Sequence, residues 1–116
     1  MVILNEHGDL KSFKSYDLFY HKSHATQLNA KLLGDSVGVK DIVLMATGDS
    51  ANRYIHLAKD GIESVLCGRS LPTVALRDTL TVIGSKASPC PTWFFMEFAK
   101  AGTGPVIKEA EIIVLT

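Results

Sequence analysis

The run Asp41-Ile42-Val43-Leu44-Met45-Ala46-Thr47 constrains the fold more than any other stretch of this chain. It is apolar almost throughout, without the polar alternation of a half-exposed strand. Such a segment is predicted to be a central strand covered on both faces. The chain must therefore supply strands on either side of it and further elements to pack on it.

Those elements can be read from spacing. Val2 to Leu4 is predicted as a short buried strand, and Asn5-Glu6-His7-Gly8-Asp9 as a turn with Gly8 able to take positive φ. Leu10 to Phe19 resumes extended structure with Leu10, Phe13 and Phe19 as apolar anchors, so the chain opens with a hairpin. Ser23 is the expected N-cap of a first helix, in which Ala25, Leu28, Leu32 and Leu33 share one face and which Gly34 stops. Gly48-Asp49-Ser50 turns into a second helix, capped by Asp49 or Ser50. Its stripe is Ile55, Ala58, Ile62, Val65 and Leu66, and Gly68 is its stop. Gly61 inside it costs about 1 kcal/mol relative to Ala. Thr79 to Ile83, ended by Gly84, and Thr92 to Phe98 read as strands. Between them Ala87 to Pro91 forms a rigid loop. Ala101 to Pro105 is a turn, and Glu111 to Leu115 a final strand.

The order β-β-α-β-α-β-β-β places the chain in the α+β (mixed α/β) class, with a mixed sheet or two packed sheets and helices against them. It is not a regular βαβ array, which argues against a doubly wound nucleotide-binding fold. No repeat or linker divides residues 1–116, so a single domain is expected. The apolar run beginning at residue 2 suggests a domain excised from a longer protein.

Charge narrows the choice of partners. Formal net charge is zero and no basic stripe is present, which disfavours nucleic acid. Lys11, Lys14 and Lys22 form the densest basic cluster, interrupted by Asp17, and read as a solvated face. No apolar run approaches the ~20 residues of a membrane span, and the N-terminus lacks the pattern of a signal peptide. Cys67 and Cys90 have no close metal spacing. They can pair across 23 residues or both be free, which leaves the compartment open.

No stretch carries a catalytic signature. His21 and His24 are three apart and can share a helix face, but their ligand set is incomplete; no metal or cofactor is expected. Gly48-Asp49-Ser50 matches neither a nucleophile elbow nor a phosphate loop. Cys67, at a helix end, reads as a buried structural thiol rather than a nucleophile. Gly102-x-Gly104 is turn chemistry, not a dinucleotide fingerprint. Trp93, Phe94, Phe95 and Phe98 form an aromatic block. In a strand Trp93, Phe95 and Glu97 face one way and Phe94, Met96 and Phe98 the other. One set is core; the other is either core as well or a stacking platform for sugar or protein.

Four stretches together resemble the interleukin-like EMT inducer domain, also called the GG or PANDER-like domain. Val2-Ile3-Leu4-Asn5 through Phe13-Lys14-Ser15-Tyr16-Asp17 is similar to its first hairpin. Asp41 to Thr47 with Gly48-Asp49-Ser50-Ala51 resembles its strand and turn, and Ile55 to Leu66 the helix that follows. Leu76-Arg77-Asp78-Thr79 with Val82-Ile83-Gly84-Ser85-Lys86 resembles its Arg-Asp phrase and the strand after it. The likeness covers most of residues 2–86 and departs from the family at Leu80, usually aromatic, and Ala87, usually glycine. The additional cysteines of its secreted members are not evident. The resemblance implies a compact sandwich of small β-sheets with two to three flanking helices. It also implies a role in recognition, since members include secreted signalling proteins, modules of glycan-processing and cell-surface proteins, and bacteriophage tail-fibre proteins.

The expected function is thus a non-catalytic module, not an enzyme, binding a carbohydrate or a cell-surface protein at an extracellular or virion surface. The alternative is a secreted cytokine-like ligand, which predicts oxidised cysteines. Candidate binding residues are Asp49, Asn52 and Arg53 at a strand end and helix start, Arg77 and Asp78 opening another strand, and Trp93 of the aromatic block. Internal pairing or capping is the competing role for Arg77 and Asp78.

Overall fold

The computed structural model describes residues 1–47 and 50–102. The strands form one antiparallel sheet in the order β2-β1-β3-β4-β5. They are β1 (Val2–Leu4), β2 (Leu10–Phe13), β3 (Ile42–Ala46), β4 (Thr79–Gly84) and β5 (Phe95–Ala99). The expected central strand is β3, third of the five, pairing Val43 with Ile3 on one side and with Gly84 on the other. The opening hairpin is present, with Val2 opposite Phe13 and Leu4 opposite Leu10. Its turn is closed by Asn5, whose Oδ1 accepts from the amides of His7 at 2.8 Å and Asp9 at 3.0 Å.

The sandwich of sheets implied by the resemblance is not what the described residues form. Because β1 pairs with both β2 and β3, and β3 with β4, the early hairpin and the late strands join into a single ladder. The strand expected over 111–115 lies outside the described residues.

Strand alternation separates two sheet faces. Ile3, Val43, Leu80 and Val82 point to one face and are at most 1% exposed. The helical segments pack there. Helix α1 (Lys22–Leu33) contributes Ala25, Leu28 and Leu32, and helix α2 (Lys59–Glu63) contributes Ile62. Each fully buried aliphatic side chain contributes about 1.5–3 kcal/mol of transfer free energy. The opposite face carries Val2, Leu4, Ile42, Leu44, Ile83 and Phe95.

Several local expectations change. Leu10 and Phe13 are not anchors: they project from the edge strand on the second face and are 66% and 69% exposed. The buried residue of that region is Leu18. Leu33 falls off the buried stripe of α1 and is 51% exposed. Ser23 is not the N-cap of α1; His21 is, without a side-chain cap bond. The second helix is broken into 3₁₀ turns, Ala51–Arg53 and Ile55–Ala58, followed by α2. Its predicted stripe of Ile55, Ala58, Ile62, Val65 and Leu66 is nonetheless buried throughout.

Two glycines set how closely these layers approach. A Cβ on Gly61 would lie 2.9 Å from both the Cα and the carbonyl oxygen of Asn29 in α1. Gly61 also donates its amide to Asn29 Oδ1 at 2.6 Å. Gly61 therefore permits the crossing of α1 and α2 rather than merely weakening a helix. A Cβ on Gly84 would meet the Val65 carbonyl oxygen at 2.2 Å.

Lysines and one buried carboxylate fasten the loop between α1 and β3. Lys11 Nζ reaches Asp41 Oδ2 at 2.5 Å and the Ser36 carbonyl at 3.0 Å. Lys86 Nζ donates to the carbonyls of Gly34 and Val37 at 3.1 and 2.9 Å. Burial works to raise the Asp41 pKa, but hydrogen bonds from Lys11 and the Gly38 amide hold it below the usual value. A disulfide between Cys67 and Cys90, with Cα atoms 5.4 Å apart, ties the segment after α2 to the loop before β5. Of the two alternatives the sequence left open, the cysteines are paired, and Cys67 is half-buried rather than buried.

Candidate functional site

The site grows from the turn between β2 and α1. Asp17 Oδ1 accepts from the amides of Phe19 and Tyr20, both at 3.0 Å. The Asp17 amide donates to His24 Nδ1 at 3.0 Å. An aspartate organising the amides two and three residues ahead is a local turn device. Those amides of Tyr20 and Phe19 hold the carboxylate below its usual pKa. The turn places two aromatic side chains together at the surface. Phe19 and Tyr20 meet edge to face, their centroids 4.8 Å apart, and Tyr20 is 74% exposed.

A second segment joins this turn. The Tyr54 amide, between the two 3₁₀ turns, donates to the Leu18 carbonyl at 3.0 Å. This contact brings Arg53 over Phe19, its guanidinium carbon 5.5 Å from the ring centroid; the same carbon lies 5.1 Å from the Tyr54 centroid. Each such contact contributes about 0.5–1 kcal/mol at an exposed position. Arg53 makes no ion pair among the described residues. Its guanidinium is thus oriented by rings, and no carboxylate of the described residues engages its donors.

The same two segments wall a cavity of about 330 Å³. Its floor is the core surface of Leu28, Met45, Ile55 and Ile62, and Ser15, Tyr16 and Ser50 bring hydroxyl groups to its lining. An apolar floor with a few hydroxyls suits a small, mostly apolar group bearing polar substituents. Burial raises the Tyr16 pKa, so its hydroxyl stays protonated at neutral pH and can donate.

The expected site residues are only partly brought together. Arg53 belongs to the aromatic cluster just described. Asn52, beside it, is half-buried and its Oδ1 has no hydrogen-bond partner among the described residues. Asp49 lies outside the described residues. Arg77 is exposed with φ of +66°, and it does not pair with its neighbour Asp78. Asp78 is only 2% exposed and accepts from the amides of Ala75 at 3.0 Å and Ala101 at 2.8 Å. These amides hold its pKa down, with Lys100 at 3.8 Å assisting. Asp78 thus ties the loop before β4 to the residues after β5, as internal capping does. Trp93 is half-buried in the turn preceding β5 and makes no ring contact with an aromatic or a cation among the described residues. Its block divides as alternation requires: Phe94, Met96 and Phe98 pack on the core and Phe95 faces the other way.

The His21 and His24 rings stack at 4.7 Å, but no group of three metal-ligating side chains occurs among the described residues. Both cysteine sulfurs are in the disulfide, leaving no thiol nucleophile.

Phe19, Tyr20 and Tyr54 were not among the candidate binding residues, and Phe19 was expected only as an apolar anchor. The local signal was Asp17 two residues before an aromatic pair. The partner signal was absent, because Leu18 and Tyr54, whose backbone hydrogen bond joins the two segments, are 36 residues apart. Comparison with protein-family models, with curated proteins and with solved structures gives no match for this chain.

Proposed function

We propose that this chain is a non-catalytic recognition module that binds a carbohydrate through Phe19, Tyr20, Arg53 and Tyr54. The observation that carries this reading is the Arg53 guanidinium held over the Phe19 and Tyr54 rings beside the exposed Tyr20. Aromatic faces bind the C–H face of a sugar ring, and an oriented guanidinium hydrogen-bonds its oxygens. The adjoining cavity offers room for a substituent. The carboxylates with lowered pKa values, Asp17, Asp41 and Asp78, are all engaged by backbone amides, which suits structural caps better than general acids. The motif resemblance points to the interleukin-like EMT inducer domains, within a phage tail or cell-surface protein. The Cys67–Cys90 disulfide favours an extracellular or virion-surface setting.

The test is a glycan-array screen of the folded protein with Tyr20→Ala, Arg53→Ala and Trp93→Ala variants. Binding to one sugar class, lost in the first two variants and retained in the third, supports the reading. Absence of binding by a folded sample, or loss in Trp93→Ala alone, refutes it.

A second reading is a protein-binding module such as a cytokine-like ligand. It is favoured by the disulfide and by Leu10 and Phe13, two large apolar side chains exposed on one sheet face.

A further inference from the structure

A groove of about 540 Å³ lies between the hairpin and α1, away from the aromatic cluster's rings. Ser12, Lys14 and Tyr16 line it from the chain around β2, and Gln27, Ala30 and Lys31 from the helix. Gln27 and Lys31 are four residues apart and so share one helix face. Ala30 leaves space between them.

The chemistry of this lining is one-sided. Every polar side chain in it can donate a hydrogen bond: two ammoniums, two hydroxyls and one carboxamide. No carboxylate lines it among the described residues. Lys14 and Lys31 make no ion pair or side-chain hydrogen bond among those residues either. Lys14 is instead held by the Tyr16 ring, 5.2 Å from its centroid. The contrast with neighbouring lysines is direct. Lys11 is engaged by Asp41 and the Ser36 carbonyl, and Lys86 by the carbonyls of Gly34 and Val37. Two uncompensated cations lining one concavity repel each other, and an anion between them converts that repulsion to attraction.

We infer that this groove binds a sulfate or phosphate group. Lys14 and Lys31 neutralise its charge, while Ser12, Tyr16 and Gln27 donate to its oxygens. The groove is larger than a bare oxyanion and within the range of pockets that hold small organic ligands. The group is therefore the ester of a larger molecule, a sulfated or phosphorylated sugar, rather than a free ion. No ring or guanidinium of Phe19, Tyr20, Arg53 or Tyr54 lines the groove, and Tyr16 is the one residue it shares with the cavity beside that cluster among the described residues.

The experiment is an amide-resolved NMR titration with a monosaccharide 6-sulfate, its unsulfated parent, and inorganic sulfate, each against sodium chloride at matched ionic strength. The sugar sulfate should give saturable shifts in residues 12–16 and 27–31. Lys14→Gln and Lys31→Gln should each weaken it at least threefold with unchanged thermal midpoints, while Arg53→Ala leaves it intact. Tighter binding of inorganic sulfate than of the sugar ester would keep the oxyanion site and overturn the ester. Equal binding of the unsulfated sugar, unchanged affinity in both lysine variants, or no saturation with any anion would overturn the site.

Discussion

Replacing Gly61 by alanine sets two opposing effects against each other. Helix propensity alone favours alanine by about 1 kcal/mol at an interior position. Packing opposes it. The new methyl carbon would sit 2.9 Å from the Cα and carbonyl oxygen of Asn29, backbone atoms that no rotamer change can move. Overpacking of this kind costs about 1–3 kcal/mol. Relief by separating the helices would lengthen the 2.6 Å bond from the Gly61 amide to Asn29 Oδ1, a further loss of about 1 kcal/mol. The sum is a net destabilisation of about 1–3 kcal/mol, or a fall in Tm of about 4–12 °C for a domain of this size. Calorimetry and urea unfolding should show it, with Lys59→Ala on the same helix as a neutral control. A Gly61→Ala protein as stable as the parent, or more so, would refute the close crossing of α1 and α2.

Gly84→Ala should be more damaging, about 3 kcal/mol or more, because its Cβ would meet the Val65 carbonyl oxygen at 2.2 Å; soluble yield and Tm report it. Reducing the disulfide, or the Cys67→Ser/Cys90→Ser pair, should cost about 3 kcal/mol from the freed loop, seen as a lower urea midpoint with dithiothreitol than without. Asp17, Asp41 and Asp78 have depressed folded-state pKa values. Their contribution is therefore full above the unfolded value of about 4, and is lost as pH falls through the lower folded values. Unfolding free energy should be insensitive to these groups between about pH 6 and 8 and decline below about pH 5, with a shallower acid decline in Asp78→Asn.

Much of the sheet was legible because its strands are short and their apolar residues cluster. Val2–Leu4 and Ile42–Ala46 need no tertiary information to be recognised as strands, and the stripe from Ile55 to Leu66 named its buried residues correctly. The breaks in that second helix were not legible. The Tyr54 amide, which closes the first 3₁₀ turn on the Ala51 carbonyl, is shared with the Leu18 carbonyl, a contact with no local sequence signature. Leu10 and Phe13 were misjudged for a related reason. Alternation fixes which residues share a face, but not that their strand lies at a sheet edge.

The site shows the same division. Arg53 was identifiable as a polar residue at a strand end and helix start, whereas its orienting rings come from two segments. Asp78 looked like part of a polar rim, and only the amides of Ala75 and Ala101 reveal it as a buried tie. Trp93 was singled out as part of an aromatic block expected to lie on a strand, but it sits in the turn before β5. In the structure Trp93 is half-buried at a turn, whereas Tyr20 is 74% exposed next to Phe19, over which Arg53 lies.

The most direct test of the recognition surface is NMR titration of the isotopically labelled protein with the sugar class selected on the array, following the Arg53 Nε–H resonance and the amides of 17–20 and 50–55. Saturable shifts concentrated there, and abolished in Arg53→Ala, are the result this account predicts. Shifts centred on Trp93 or Arg77, with Arg53 and Tyr20 silent, would contradict it.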